Sequence, residues 1–384
     1  MDSHSTQFLI ISDHPNGNLM PLTDSRLKPD EVVLLTPPGE HLADYQHWLI
    51  QVCQPMGIRC TTIELAQPWD IEQLRQTLEE LVVARLAQGE NLILNNSGTK
   101  GPIGIIAHEV FFYRNLPAFY VRNDQVYWLC NPDNRSSFNL EDKIKLPAFL
   151  QSHGLKVTHY SREGIARAQR DIAERWLLGA TSYSKAMGIL NYYASRAESG
   201  LSTRVDHNHL RGNTPFNQLL DDLAQHQLVQ LKGNELSFSS EEARFFANGG
   251  WMEELVFSEL LKLRGEFPQL QDLARSVQLN WLESRRQRPV RNELDVLALY
   301  NNRLIAIECK TSRFEQGNGK KVVYKLGAML KHLGGPSARG LIVSFHPIKQ
   351  IHCERAELFD VHVCERSQLG NLTHLLRTLL KELQ

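Results

Sequence analysis

The stretch that decides the fold of the last third of the chain is Asn292-Glu293-Leu294-Asp295-Val296-Leu297-Ala298-Leu299-Tyr300-Asn301-Asn302-Arg303-Leu304-Ile305-Ala306-Ile307-Glu308-Cys309-Lys310. Two apolar runs flank Asn301-Asn302, and Asn tolerates the positive φ that a two-residue hairpin turn demands. Counting outward from that turn, Tyr300 opposes Arg303 and Asp295 opposes Glu308. Opposed residues of such a pair hold their Cβ atoms roughly 4.5–5.5 Å apart. Two carboxylates left face to face repel each other, and a divalent cation removes the repulsion; hard oxygen ligands suit Mg²⁺ or Mn²⁺. Lys310 lies two residues beyond Glu308 and points to the same face, where an ammonium orients water or offsets phosphate charge. The bland alternative is a surface hairpin with incidental charges. The run Leu304-Ile305-Ala306-Ile307, apolar on both faces, argues against it, because a buried strand carries Glu308 and Lys310 only at a cost.

A helix is expected over Trp251 to Leu263, with Met252, Leu255, Val256, Leu260 and Leu263 on one arc. Glu253 falls at the edge of that arc and Glu254 on the opposite side. Glu253 is the candidate third acid, and Glu259, which projects inward, is its rival.

Asp295, twelve intervening residues, then Glu308-Cys309-Lys310 resembles the Asp…Glu-x-Lys core of the PD-(D/E)XK nuclease superfamily; position 294 is Leu where that pattern opens with Pro. The resemblance implies catalytic roles for Asp295, Glu308 and Lys310, and a metal held by Glu253, Asp295 and Glu308. Local charge agrees with a phosphate-rich substrate. Between Trp281 and Lys331 there are eleven basic and five acidic residues in a chain whose net charge is only -1. Arg285, Arg286, Arg288, Lys320, Lys321 and Lys325 are the candidates for holding a nucleic-acid backbone.

The first 160 residues alternate strand and helix. Short apolar runs at Phe8–Ser12, Glu31–Thr36, Arg59–Leu65 and Asn91–Asn95 are separated by helical stretches near 40–56 and 70–88, which argues for a mostly parallel sheet covered on both sides. A hairpin is expected across Arg122-Asn123-Asp124. After the fourth run comes Asn95-Asn96-Ser97-Gly98-Thr99-Lys100-Gly101-Pro102, with Pro102 suited to a first helical turn. Such a loop offers backbone N–H groups, two hydroxyls and a lysine at the positive end of a helix, an anion site in kind. It lacks the spacing of a Walker A loop.

This loop resembles the Asn-x-Thr/Ser-Gly-Gly-Thr-Lys signature of CARF domains, the Rossmann-like sensors of type III CRISPR systems, with one Gly fewer. Asp13 to Pro21 resembles the family's first ligand loop. The resemblance implies a homodimer that binds cyclic oligoadenylate, a tetra- or hexaadenylate, across its two-fold axis. Asn16, Asn18, Asn95, Ser97, Gly98, Thr99 and Lys100 are the ligand-binding candidates.

Between the two ends, helices from Arg162 to about Ser199 and from Thr214-Pro215 onward lead into a small hairpin at Leu228–Phe238. That order resembles a winged helix, with a plain spacer as the equal alternative. The expected organisation is thus α/β throughout: residues 1–160 a CARF-like Rossmann sensor, 161–240 a helical or winged-helix-like connector, and 241–384 a restriction-endonuclease-like domain. The six dispersed cysteines form no CxxC and suit a reducing cytoplasm, and no apolar run approaches the ~20 residues that span a bilayer. Sensor plus nuclease resembles the ancillary nucleases of type III CRISPR defence, which implies a metal-dependent endonuclease cutting DNA, or RNA. The rivals are a non-enzymatic regulator of nucleic acid and an unregulated restriction-type endonuclease.

Overall fold

The computed structural model describes residues 4–99, 101–282, 290–313 and 318–383. The chain divides into two compact units. The first comprises residues 1–158, 279–292 and 301–303, and the second residues 159–278, 293–300 and 304–384.

Seven strands build the sheet of the first unit: β1 (Ser5–Ile10), β2 (Glu31–Thr36), β3 (Arg59–Glu64), β4 (Asn91–Asn95), β5 (Ala118–Arg122), β6 (Gln125–Cys130) and β7 (Phe138–Asn139). Their order is β3-β2-β1-β4-β5-β6-β7. The first five pair in parallel, and β6 and β7 continue antiparallel. Strand alternation explains the two covered faces. Phe8, Ile10, Val33 and Leu35 pack into one apolar cluster with the helices Ile71–Ala87 and Pro102–Tyr113. Leu9, Ile11, Val32 and Leu34 pack into another with the helix Glu40–Cys53. Strands β1 and β2 are therefore buried on both sides, as interior parallel strands are, while the edge strand β3 is half-exposed. The strand order reverses between β1 and β4, so the loops after these two strands flank a topological switch point.

The remaining strands are β8 (Leu155–Ser161), β9 (Ser202–Arg204), β10 (Val229–Lys232), β11 (Glu235–Phe238), β12 (Leu270–Trp281), β13 (Arg291–Tyr300), β14 (Arg303–Lys310), β15 (Arg339–Ser344) and β16 (Val361–Cys364). A six-stranded sheet runs β16-β15-β14-β13-β12-β8, and β9, β10 and β11 form a small sheet in the order β10-β11-β9. Within the second unit, the helices Arg167–Leu178, Ala180–Arg196 and Thr214–Gln225 share one continuous core with the helix Trp251–Leu263 and strands β13 to β15. Residues 161–240 thus pack into the same unit as the strands that carry the acids. The helix Thr214–Gln225 is capped by Asn213, whose side chain accepts from the N–H of Phe216, and Pro215 sits in the first turn. Strand β12 has no counterpart among the sequence expectations.

Asn301 and Asn302 both adopt left-handed backbone, with φ of 47° and 56°, so β13 and β14 are joined by the expected two-residue turn. The tip is anchored within the first unit. Asn302 is fully buried, and its Nδ2 donates to Asp124 Oδ1 at 2.6 Å, Asp124 lying in the β5–β6 turn. Burial pushes the Asp124 carboxyl up to about 7, partly offset by the Asn302 bond. Asn302→Ala should therefore lower the unfolding free energy by about 1–3 kcal/mol, the cost of a buried polar group that loses its partner. Asn302→Gly tests the cause. It accepts the positive φ, so urea unfolding should still show most of the loss if the side-chain bond carries it.

Candidate active site

The two-residue turn sets the register that opposes Asp295 to Glu308, and both carboxylates are buried. Asp295 Oδ2 accepts from the backbone N–H of Cys309 at 2.6 Å. Lys310 Nζ lies 2.7 Å from Glu308 Oε1 and 3.6 Å from Asp295 Oδ2, so one ammonium serves both acids. The Lys310 ammonium is held protonated: the Asp295 and Glu308 charges outweigh the opposing effect of burial. Burial, then the Glu308 charge, push Asp295 up to about 6. The second oxygen of Glu308, Oε2, is buried and has no hydrogen-bond partner among the described residues. An orphaned carboxylate oxygen beside a second, crowded carboxylate is the donor set a hard cation takes.

The third acid approaches from the helix Trp251–Leu263. Just before it, Gly249 has φ +104°, and a Cβ there would stand 2.3 Å from Thr311 Oγ1. Only a glycine lets this helix start so close to the end of β14. Glu253, in the first turn, is partly buried and accepts from Ser276 Oγ at 3.2 Å. Its carboxyl is pushed well up, first by burial and then by the charges of Asp295 and Glu293. Ser276 holds φ +50° within β12, an uncommon conformation for a non-glycine residue.

Glu259 is otherwise engaged, bonded to Lys262 at 2.5 Å and to Thr373 Oγ1 at 2.7 Å. Glu254 does not face solvent as the helical projection suggested. It is buried and paired with Arg275 at 3.2 Å, because this helix is enclosed nearly all round. Among the described residues, no three His, Cys, Asp or Glu side chains converge as a ready metal cluster. Asp295 and Glu308 form a pair bridged by Lys310, with Glu253 close enough to interact electrostatically.

Of the six basic candidates, Arg285, Arg286 and Arg288 lie outside the described residues. Lys320 and Lys321 are exposed on the helix Asn318–Leu333. Lys325 turns toward the acids: its Nζ donates to the Glu293 carbonyl at 2.7 Å and lies 3.5 Å from Glu308 Oε1. Its role beside Glu308, and that of Ser276 beside Glu253, had no signal in the sequence beyond the one-turn spacing of Lys321 and Lys325.

In the first unit the two loops read as one ligand site come together at the switch point. Asn95 Nδ2 donates to the Gly17 carbonyl at 2.9 Å. Asn18 Nδ2 donates to the Ile10 carbonyl at 2.8 Å, and a Cβ on Gly98 would meet that same oxygen at 2.1 Å. The side-chain oxygens of Asn16 and Asn18 are buried without partners among the described residues. The hydroxyls are less free than the sequence suggested. Ser97 Oγ donates to Asn95 Oδ1 at 2.5 Å and accepts from the Val121 N–H at 2.8 Å, and Thr99 Oγ1 donates to Asn96 O at 2.5 Å. They shape the loop. Lys100 lies outside the described residues.

Residues 240–382 match the family model described as "Card1-like, endonuclease domain". The chain as a whole is 27% identical to protein VC1899 from Vibrio cholerae, with a TM-score of 0.87 over 98% of both chains. Can2 from Sulfobacillus thermosulfidooxidans, solved in complex with cyclic tetra-adenylate, superposes with a TM-score of 0.78 at 24% identity over 98% of this chain and 99% of that one. A type III CRISPR defence DNA nuclease activated by cyclic oligoadenylate matches 90% of this chain and 46% of its own, at 15% identity and a TM-score of 0.57. A search of curated proteins finds no match. The fold is thus shared over nearly the whole chain with VC1899 and Can2.

The raised Asp295 pKa has a thermodynamic sign. A carboxyl whose folded-state value is raised favours the protonated fold, so its contribution to stability is largest below its ordinary value and is lost as pH rises through about 6. Asp295→Asn should raise the unfolding free energy by about 1–3 kcal/mol at pH 8, and by much less at pH 4. Urea unfolding at the two pH values checks this.

Proposed function

We propose that this chain is a metal-dependent endonuclease, switched on by cyclic oligoadenylate bound to its N-terminal unit and serving antiviral CRISPR defence. The observation that carries the catalytic part is the opposed Asp295–Glu308 pair, bridged by Lys310, with one Glu308 oxygen buried and unpartnered. Asp295, Glu308 and Glu253 would hold Mg²⁺ or Mn²⁺, which when bound activates water and offsets phosphate charge. Lys310, a held ammonium between the acids, positions the attacking water and stabilises the charge that develops on the scissile phosphate. Lys325 holds Glu308 from the other side. DNA is the favoured substrate, with RNA the alternative. The ligand reading is supported by the switch-point loops and by the cyclic tetra-adenylate complex of Can2. A symmetric ring engaging the same loop twice calls for a homodimer.

Glu308→Gln should cut cleavage of plasmid DNA, in the presence of Mn²⁺ and cyclic oligoadenylates, by roughly 100-fold or more. Chelation with EDTA should do the same. Parental activity should fall as pH drops through about 6, because only the deprotonated Asp295 serves as a ligand. A Glu308→Gln variant that cuts at the parental rate would refute the assignment.

The sensor is tested separately. Calorimetry of cyclic tetra- and hexaadenylate should show binding by parental protein and roughly tenfold weaker binding by Lys100→Ala. No binding of either ring by parental protein leaves a nuclease without this switch.

A further inference from the structure

Beyond the end of β14 lies a groove of about 1000 Å³, entirely within the second unit, that the catalytic reading does not use. One wall is a stripe along the helix Ala180–Arg196: Lys185, Gly188, Tyr192 and Arg196, spaced three to four residues apart and all exposed. Arg204 and Arg313 complete a basic lining whose single acid among the described residues is Asp206. That carboxylate is turned to cap its own helix, accepting from the Asn208 N–H at 2.8 Å. Tyr192 is half exposed, and the Arg196 guanidinium sits 5.6 Å from its ring.

Two further details point to an occupant. A Cβ on Gly188 would meet nothing within 4 Å, so packing does not require glycine there. A glycine inside a helix costs about 1 kcal/mol against alanine. What it supplies is a bare stretch of helix on the groove wall, with room for another chain to approach closely. Asn191 also lines the groove. Its Nδ2 donates to Thr311 Oγ1 at 3.0 Å, while its Oδ1 is buried without a partner among the described residues.

The groove begins where the catalytic strand ends. Ser312 and Arg313 line it, and Ser312 follows Lys310 by two residues, at most about 7 Å along the chain. His346 braces this corner, donating from Nε2 to the Thr311 carbonyl at 3.0 Å and accepting at Nδ1 from Ser184 Oγ at 3.2 Å.

Resting on the nuclease reading above, we propose that this groove binds a single strand of nucleic acid leading away from the scissile phosphate. Arg196, Arg204, Arg313 and Lys185 hold consecutive phosphates, Tyr192 offers its ring to a base, and the strand runs over Gly188. Basic side chains tracking a backbone beside an aromatic platform are how single strands are bound without sequence preference.

The test measures binding apart from cleavage. Fluorescence anisotropy in EDTA follows labelled single-stranded DNA, single-stranded RNA of the same sequence, and a DNA duplex. Arg196→Glu and Arg204→Glu should each weaken single-strand binding at least tenfold and flatten its salt dependence by about one phosphate contact. Lys381→Glu, an equal charge change elsewhere on the unit, should alter it less than twofold. Gly188→Trp should block the groove and lose single-strand affinity with an unchanged melting temperature. The DNA and RNA arms identify which strand the groove prefers. Parental protein that cuts nucleic acid while the three groove variants bind as it does overturns the groove and leaves the nuclease. Tighter duplex binding that ignores these variants also overturns it. Parental protein that neither binds nor cuts overturns both.

Discussion

Two carboxylates are held against each other across a hairpin, and the rest of the nuclease unit is arranged around that repulsion. The Asn301-Asn302 turn imposes it, because a two-residue connection leaves no freedom in register. Lys310 answers it at the exposed end, Lys325 from a neighbouring helix, and the Cys309 N–H from the strand itself. None of these gives Glu308 Oε2 a partner. The fold therefore carries an unfilled electrostatic demand in a place where apolar residues are often the more stable choice, and this is what supports the proposed catalytic role.

The surrounding elements make sense as supports for this arrangement. The glycine at 249 lets a helix end press on Thr311, bringing Glu253 near the pair, and the left-handed Ser276 aims its hydroxyl at the same carboxylate. Both are locally unfavourable backbone choices, and both converge on one side chain. In the first unit an analogous economy applies: Gly98 permits a backbone approach of the same closeness at the switch point, while Ser97 and Thr99 are consumed in holding the loop's shape.

Much of this was legible in the residues. The turn, the opposed acids and the lysine follow from alternation and counting, and the parallel sheet of the first unit follows from runs buried on both faces. Strand β12 was not legible, because Asp272, Arg275 and the left-handed Ser276 interrupt the apolar alternation that betrays a strand. The choice between Glu253 and Glu259 needed partners, since both project from the same helix, and only packing reveals that Lys262 and Thr373 occupy Glu259. Lys325 read as one more basic residue because nothing in its neighbours shows that it turns toward Glu308. The hydroxyls of Ser97 and Thr99 make the same point: a polar residue type does not say whether its bonds are already made.

The buried amide of Asn302 has a consequence for how such proteins can be recombined. The matched endonuclease segment begins at residue 240, yet the tip of its central hairpin is completed by Asp124. A cut placed at that sequence boundary severs no strand but strips a fully enclosed side chain of its acceptor. A sensor grafted onto this hairpin has to bring an acceptor for Asn302 where the β5–β6 turn now supplies Asp124.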